Sequence, residues 1–171
     1  MAEPTLRPAT PADAAAIAEV HVRAWQVGYR GIVADEVLAA QSVQAREREW
    51  FGWLSDGRSA TTVAACVGAV VGFATIFAPS RDGDAGRRAC ELAALYVAPE
   101  HWRRGVGRAL MRDAMDGAGA GGWLEITAWV FERNDAARAF YEQLGFAPDG
   151  ATDVHGRSGE PAIRLRAPLR G

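Results

Sequence analysis

The chain has 171 residues, a net charge of −2, and 49% hydrophobic against 23% charged residues, the profile of one ordinary soluble domain spanning 1–171. Nothing in that near-neutral balance calls for a nucleic-acid or anionic-membrane partner. All nineteen basic residues are arginine, which excludes a Schiff-base lysine and a phosphate-loop lysine.

In chain order, "TLR" (5–7) predicts a short strand. "TPADAAAIAEVHVRAWQVGY" predicts a helix, capped by Thr10 or Asp13, with Pro11 in its first turn and Ile17, Val20, Ala24 and Val27 at helical spacing. "ADEVLAA" and "SVQAREREWFGWL" predict two more helices, the second capped by Ser42, and "DGRS" (56–59) a turn. "TTVAAC" (61–66) and "AVVGFATIF" (69–77) form a hairpin around "VG". The loop "PSRDGDAG" (79–86) leads to the apolar strand "ACELAALYV" (89–97), closed by Pro99. A helix over "GVGRALMRDAMDGA" follows, with Val106, Ala109, Leu110 and Ala114 as its apolar stripe.

"GAGG" (119–122) stops that helix. "WLEITAWVF" (123–131) alternates Leu124, Ile126, Ala128 and Val130 against Trp123, Glu125, Thr127 and Trp129. Asn134 caps "DAARAFYEQL", Gly145 ends it, and "FAPDG" and "AIRLRA" (162–167) make a last strand pair around "TDVHGRSGEP". The order of elements implies an α/β fold with a mixed, mostly antiparallel sheet. No apolar run approaches ~18 residues, and the first residues lack the layout of a signal peptide. Cys66, Cys90, His21, His101 and His155 have no metal-ligand spacing. The expectation is a cytoplasmic protein with free thiols and no metal.

"PEHWRRGVGRAL" (99–110) places arginines and glycines where a strand turns into a helix. A helix start presents free N–H groups and a positive dipole end, and glycine lets an anion approach the backbone. The dipole contributes only about 0.3–1 kcal/mol, so several N–H donors plus arginine charge are needed to hold a diphosphate. A Rossmann fingerprint fails because Leu110 takes its third glycine position, and a Walker loop fails for want of G-K-S/T.

At this point the chain resembles the GNAT superfamily of acetyl-CoA-dependent N-acetyltransferases. "ELAALYVAPEHWRRGVGRALM" (91–111) is similar to its strand–loop–helix, patterned Gln/Arg-x-x-Gly-x-Gly/Ala, with Trp102 departing at the first position. "ERNDAARAFYEQLGFAPDG" (132–150) is similar to its second signature, Asn-x-x-Ala-x-x-Phe-Tyr-x-x-x-Gly-Phe. The resemblance implies a twisted sheet of about six to seven strands flanked by helices and splayed at its two central strands. It implies acetyl-CoA as co-substrate, without metal. Leu95, Tyr96 and Val97 would lie along the pantetheine arm. Arg103, Arg104, Gly105, Val106, Gly107 and Arg108 would wrap the pyrophosphate, with Asn134 contacting the cofactor besides capping its helix. Tyr141 would stand near the thioester sulfur, and an N–H near Val97 would face the oxyanion.

Acyl transfer to an amine that titrates near ~10 needs a base or a desolvated site. Glu91 is the base candidate, on the reasoning that it shares strand parity with Ala93 and Leu95 and acts through water. Donation from a phenol of pKa ~10 to a thiolate of ~8.5 is uphill by ~2 kcal/mol, so Tyr141 would assist rather than drive. An acyl-cysteine route through Cys90 is disfavoured, because a strand cysteine is usually a small buried hydrophobe. The resemblance draws the acceptor pocket from the first helices and last strands: Trp25, Tyr29, Trp50 and Trp53, with Asp149, Asp153, His155 and Glu160. A small amine is the expected acceptor, a protein N-terminus the next, and an acyl-CoA sensor without turnover the alternative of another class. The expected partners include neither nucleic acid nor membrane, and the apolar content permits a homodimer.

Overall fold

The computed structural model describes residues 4–170, so residues 1–3 and 171 of the expected domain lie outside the described residues. Seven strands form one sheet in the order β1-β2-β3-β4-β5-β7-β6. They are β1 (Thr5–Pro8), β2 (Ser59–Cys66), β3 (Ala69–Phe77), β4 (Ala89–Val97), β5 (Glu125–Phe131), β6 (Ala147–Val154) and β7 (Pro161–Pro168). Every neighbouring pair is antiparallel except β4 and β5, which run parallel. The helices are α1 (Ala14–Gly28), α2 (Asp35–Ala39), α3 (Val43–Asp56), α4 (Val106–Ala120) and α5 (Asp135–Glu142). None of the described helices is long and apolar enough to cross a membrane.

Local chemistry sets most boundaries. Val67 and Gly68 both take positive φ, 50° and 82°, the geometry of the type I′ turn that joins β2 to β3. Ser42 accepts from Ala45 N at 3.2 Å and opens α3, and Asn134 accepts from Ala137 N at 3.1 Å and opens α5. The helix expected from Thr10 is two elements. A 3-10 turn over Pro11–Asp13 precedes α1, because Asp13 turns back to accept from Thr10 N at 2.8 Å and pairs with Arg7 at 2.7 Å. Trp123 and Leu124 precede β5, and Trp123 packs on the face opposite to the one its alternation suggested.

Helices α1 and α3 cover one face through Ile17, Ala18, Trp50, Val63 and Phe73. Helices α4 and α5 cover the other, where Leu110, Met111, Ile126, Ala128 and Tyr141 interlock. Met111, rather than the expected Ala109, completes the buried stripe of α4. Burying a side chain the size of Leu110 or Met111 contributes roughly 1.5–3 kcal/mol, so α4 is held firmly on the sheet. Cys66 and Cys90 are free thiols on β2 and β4, with β3 between them.

Candidate active site

The site begins with a failure of pairing. β4 and β5 are in register only from Ala89–Glu125 to Leu92–Ala128. Beyond that, β4 stays with β3 and β5 stays with β7 as far as Phe131, so the sheet opens like a V. In the β3–β4 register, Thr75 faces Ala94 and Ile76 faces Leu92, which leaves Ala93 as an inserted, bulged residue. A bulge bends its strand and shifts the side-chain alternation by one. Cys90, Leu92, Leu95 and Val97 therefore pack toward α4, whereas Ala94 and Tyr96 pack toward α1 and α3.

This bulge corrects the parity argument for Glu91. Glu91 lies on the face opposite to Leu95, not the same one. Its buried carboxylate accepts from Arg81 N, Nε and Nη2 at 3.1, 3.0 and 2.6 Å, fastening the β3–β4 loop. It lines neither of the cavities described next.

The opening exposes the backbone of β4. Ala98 N donates to Val71 O at 2.8 Å, so Ala98–Val71 is a hydrogen-bonded pair. By the alternation of antiparallel ladders, Tyr96–Phe73 is another, and Leu95 and Val97 aim their N–H and C=O groups away from β3 into the gap. Trp102, the departure from the family pattern, donates its indole N–H to Val97 O at 2.6 Å.

A cleft of about 510 Å³ runs from this edge to the start of α4, lined by Leu95, Tyr96, Val97, Trp102, Arg103, Gly105, Gly107, Arg108, Asn134 and Phe140 among others. Arg103 takes φ 60° and Gly105 φ 84°. Such left-handed residues turn successive N–H groups into one anion-binding concavity at the positive end of the helix. Val106 is buried beneath it, Arg104 is exposed on the loop, and Arg108 Nη2 donates to Gln143 at 3.1 Å. These residues fit an extended, diphosphate-bearing ligand.

A second chamber, about 210 Å³, fills the gap on the α1 side. Its walls include Trp25, Tyr29, Trp129, Phe131, Tyr141 and His155. Tyr29, Leu95, Tyr96, Asn134 and Ala137 line both cavities, so the two spaces meet at the splayed end of β4. Residues 18–146 match the Acetyltransferase (GNAT) family.

The chain belongs to that family.

It is 32% identical over 141 residues to the uncharacterised N-acetyltransferase YuaI of Bacillus subtilis, covering 81% of this chain and 77% of that one. The PaiA N-acetyltransferase of Thermoplasma acidophilum, solved with coenzyme A, superposes with a TM-score of 0.78 at 20% identity, covering 99% of this chain and 100% of that one. YncA of Salmonella typhimurium, solved with acetyl-CoA, superposes with a TM-score of 0.72 at 24% identity, covering 99% and 96%. The expected fold, family and N-acetyltransferase class are all present in this GNAT chain.

The residues expected on the acceptor side divide sharply. Trp25 and Tyr29 line the chamber, their rings edge-to-face at 4.9 Å, and Trp25 Nε1 donates to the Tyr96 hydroxyl at 2.9 Å. Trp50 does not reach the chamber: it is buried in the α3 core, donating to His21 Nδ1 at 3.0 Å. Trp53 packs outside, against Trp50 and Phe77. Asp149 belongs to a network with Arg164 and Arg166 at 2.7 and 3.0 Å. Glu160 pairs with Arg133 at 3.0 Å, and neither Asp153 nor Glu160 lines the chamber.

His21 is a site neighbour that sequence reasoning left aside. It stacks on Tyr96 at 4.5 Å. The signal was available: His21, Trp25 and Tyr29 recur every fourth residue, which places them on one helix face. Burial, reinforced by Arg46 and Arg157, pushes His21 down to about 3, so its imidazole is neutral. Burial raises the Tyr29 phenol well above its usual value, and raises that of Tyr141 too, with Tyr96 adding to it. Cys90 is pushed up to about 11 by burial, which leaves it a thiol rather than a nucleophilic thiolate.

Proposed function

We propose that this GNAT chain transfers an acetyl group from acetyl-CoA to the amine of a small molecule by direct attack within a ternary complex. The observation that carries the reading is the meeting of two cavities at the β4 edge, one with a helix-start anion cradle and one walled by aromatic rings. The coenzyme A and acetyl-CoA bound by the PaiA and YncA neighbours support the choice of cofactor. Leu95, Tyr96 and Val97 hold the pantetheine arm, through backbone groups of the first and last. The turn at Arg103, Arg104 and Gly105, with the first amides of α4 at Val106, Gly107 and Arg108, holds the diphosphate. Asn134 sits where the two cavities join. A volume of about 210 Å³ suits a small molecule or one terminal residue beside Trp25 and Tyr29.

The Val97 N–H faces the carbonyl oxygen as charge develops on it, the usual large electrostatic contribution to acyl transfer. Tyr141 supplies a proton to the departing sulfur. Its raised pKa makes donation by itself more costly than ~2 kcal/mol, so Tyr141 works as a relay that recovers a proton from the attacking nitrogen. Glu91 is left out of this mechanism, because Arg81 holds its carboxylate outside both cavities. Calorimetry with coenzyme A and initial rates against both substrates test the reading. Binding with intersecting reciprocal plots is expected. Absence of binding by folded protein, or parallel plots, overturns it. An amine and peptide screen with thiol detection separates small-molecule from peptide acceptors.

A further inference from the structure

The chamber's chemistry narrows the acceptor further, an inference that rests on the acetyl-transfer reading above. Among the described residues that line it, none is Asp, Glu or Arg. The carboxylates around it have partners elsewhere. Glu49 is shared by Arg46 and Arg157 at 2.7 and 2.8 Å, and Glu160 pairs with Arg133. Glu91 pairs with Arg81, and Asp82 accepts from Trp129 Nε1 at 2.9 Å. Asp153 accepts from Val154 N at 2.8 Å on an exposed strand. His155 lines the chamber, its Nδ1 2.9 Å from Ser158 Oγ and 3.3 Å from Ser158 N, and burial with Arg157 and Arg46 lowers its pKa, which makes this imidazole a weak base toward an ammonium group.

The surrounding field also opposes a cation. Arg46, with a side chain only 10% exposed, and Arg157 share one carboxylate. Together with burial they hold both His21 and His155 below their usual pKa, with Asp153 opposing at His155. Tyr29 and Tyr141 stay protonated. No carboxylate among the described lining residues pairs with an ammonium group or takes its proton; the wall is aromatic rings, small apolar side chains and Asn134, with His155 its one imidazole.

We propose that the acceptor is an amine that arrives already neutral, the α-amino group of an amino-acid amide or short peptide end, in preference to alkylammonium side chains and polyamines. The neutral nitrogen attacks the acetyl carbon, the C–N bond forms and the C–S bond breaks. Tyr141 passes its proton to sulfur and takes one from nitrogen, so that amine and thioester become amide and thiol. At pH 7 an α-amino group (pKa 7.7–8.0) is neutral about 300 times more often than a lysine-like amine (10.4). Greater basicity returns part of this as nucleophilicity. By analogy with thiolates, at ~0.4–0.5 log units per pKa unit, it leaves a net preference of roughly 15- to 30-fold.

Phenylalaninamide and phenethylamine share a ring and chain length but differ in amine basicity, and they make the test. With the full chain and saturating acetyl-CoA, thiol release is followed from pH 6.5 to 9.5, and coenzyme A binding is measured by calorimetry. Phenylalaninamide should show at least tenfold higher kcat/KM at pH 7, and each profile should rise to the acceptor's own solution pKa. Equal kcat/KM at pH 7, or one shared break below both acceptor pKa values, overturns the proposal by revealing a base on the enzyme. Coenzyme binding without turnover of either amine overturns it too, while leaving the cofactor reading standing. Loss of coenzyme binding overturns both.

Discussion

Gly105→Ala tests the anion cradle most directly. Gly105 has φ 84° and ψ −8° at the start of α4, and a Cβ there would meet nothing within 4 Å. No clash arises, so the cost is conformational, about 1–2 kcal/mol for an L-residue in the left-handed region. The chain can bear that strain or release it by rotating the peptide. Leu110 and Met111 are fully buried and hold α4 in place, so release falls on the loop at 103–105, where the N–H groups turn away from the diphosphate. Losing one charge-assisted hydrogen bond costs about 1.5–3 kcal/mol, a 10- to 150-fold rise in Kd for acetyl-CoA. At saturation kcat should be nearly unchanged, since this is uniform binding. Gly57→Ala is the control: its φ is 68°, a Cβ there also meets nothing within 4 Å, and it caps α3 away from the cleft. Calorimetry and thermal melts on both variants should show similar falls in Tm, on the order of 2–8 °C, with weakened coenzyme binding only in Gly105→Ala. Unchanged affinity in Gly105→Ala would refute the amide cradle.

Tyr141→Phe keeps the ring that packs against Phe140 and Phe146, so stability should hold. A lost relay should lower kcat by about 10- to 100-fold with little change in KM for acetyl-CoA. An unchanged kcat, with single-turnover data showing chemistry to be rate-limiting, rejects the role. Glu91→Gln should cost about 1–2 kcal/mol of stability, because Arg81 loses a partner that is 6% exposed. The pH–rate profile should keep its shape, and loss of its acidic limb would restore Glu91 as the base. The Arg7 hydrogen bonds, helped by Thr10, hold Asp13 at about 2 instead of 3.8. A depressed carboxylate stabilises the fold above its unfolded pKa and loses that contribution as pH falls through the folded one. With Arg7 45% exposed, screening reduces the contribution to roughly 1 kcal/mol. Melts between pH 5 and 2 should show a steeper loss in the parent than in Asp13→Asn, and parallel curves would remove the assignment.

Much of this architecture was legible because local rules decide it. Positive φ at Val67 and Gly68, the caps at Ser42 and Asn134, the glycine that ends α5, and the alternation of β5 each depend on a few adjacent residues. The paired motifs around Gly105 and Tyr141 carried the family in the same way. Tertiary structure decided what joins distant segments. The Ala93 bulge answers to how β3 and β5 hold β4 from either side, and no alternation rule anticipates an inserted residue. It reversed the face assigned to Glu91, and Arg81, ten positions away along the chain, claimed that carboxylate. Trp50 and Trp25 are both tryptophans on early helices, yet one lies under the core and the other walls the chamber. Helical spacing says which residues share a face, but the partner against which that face packs is chosen only when the whole chain folds.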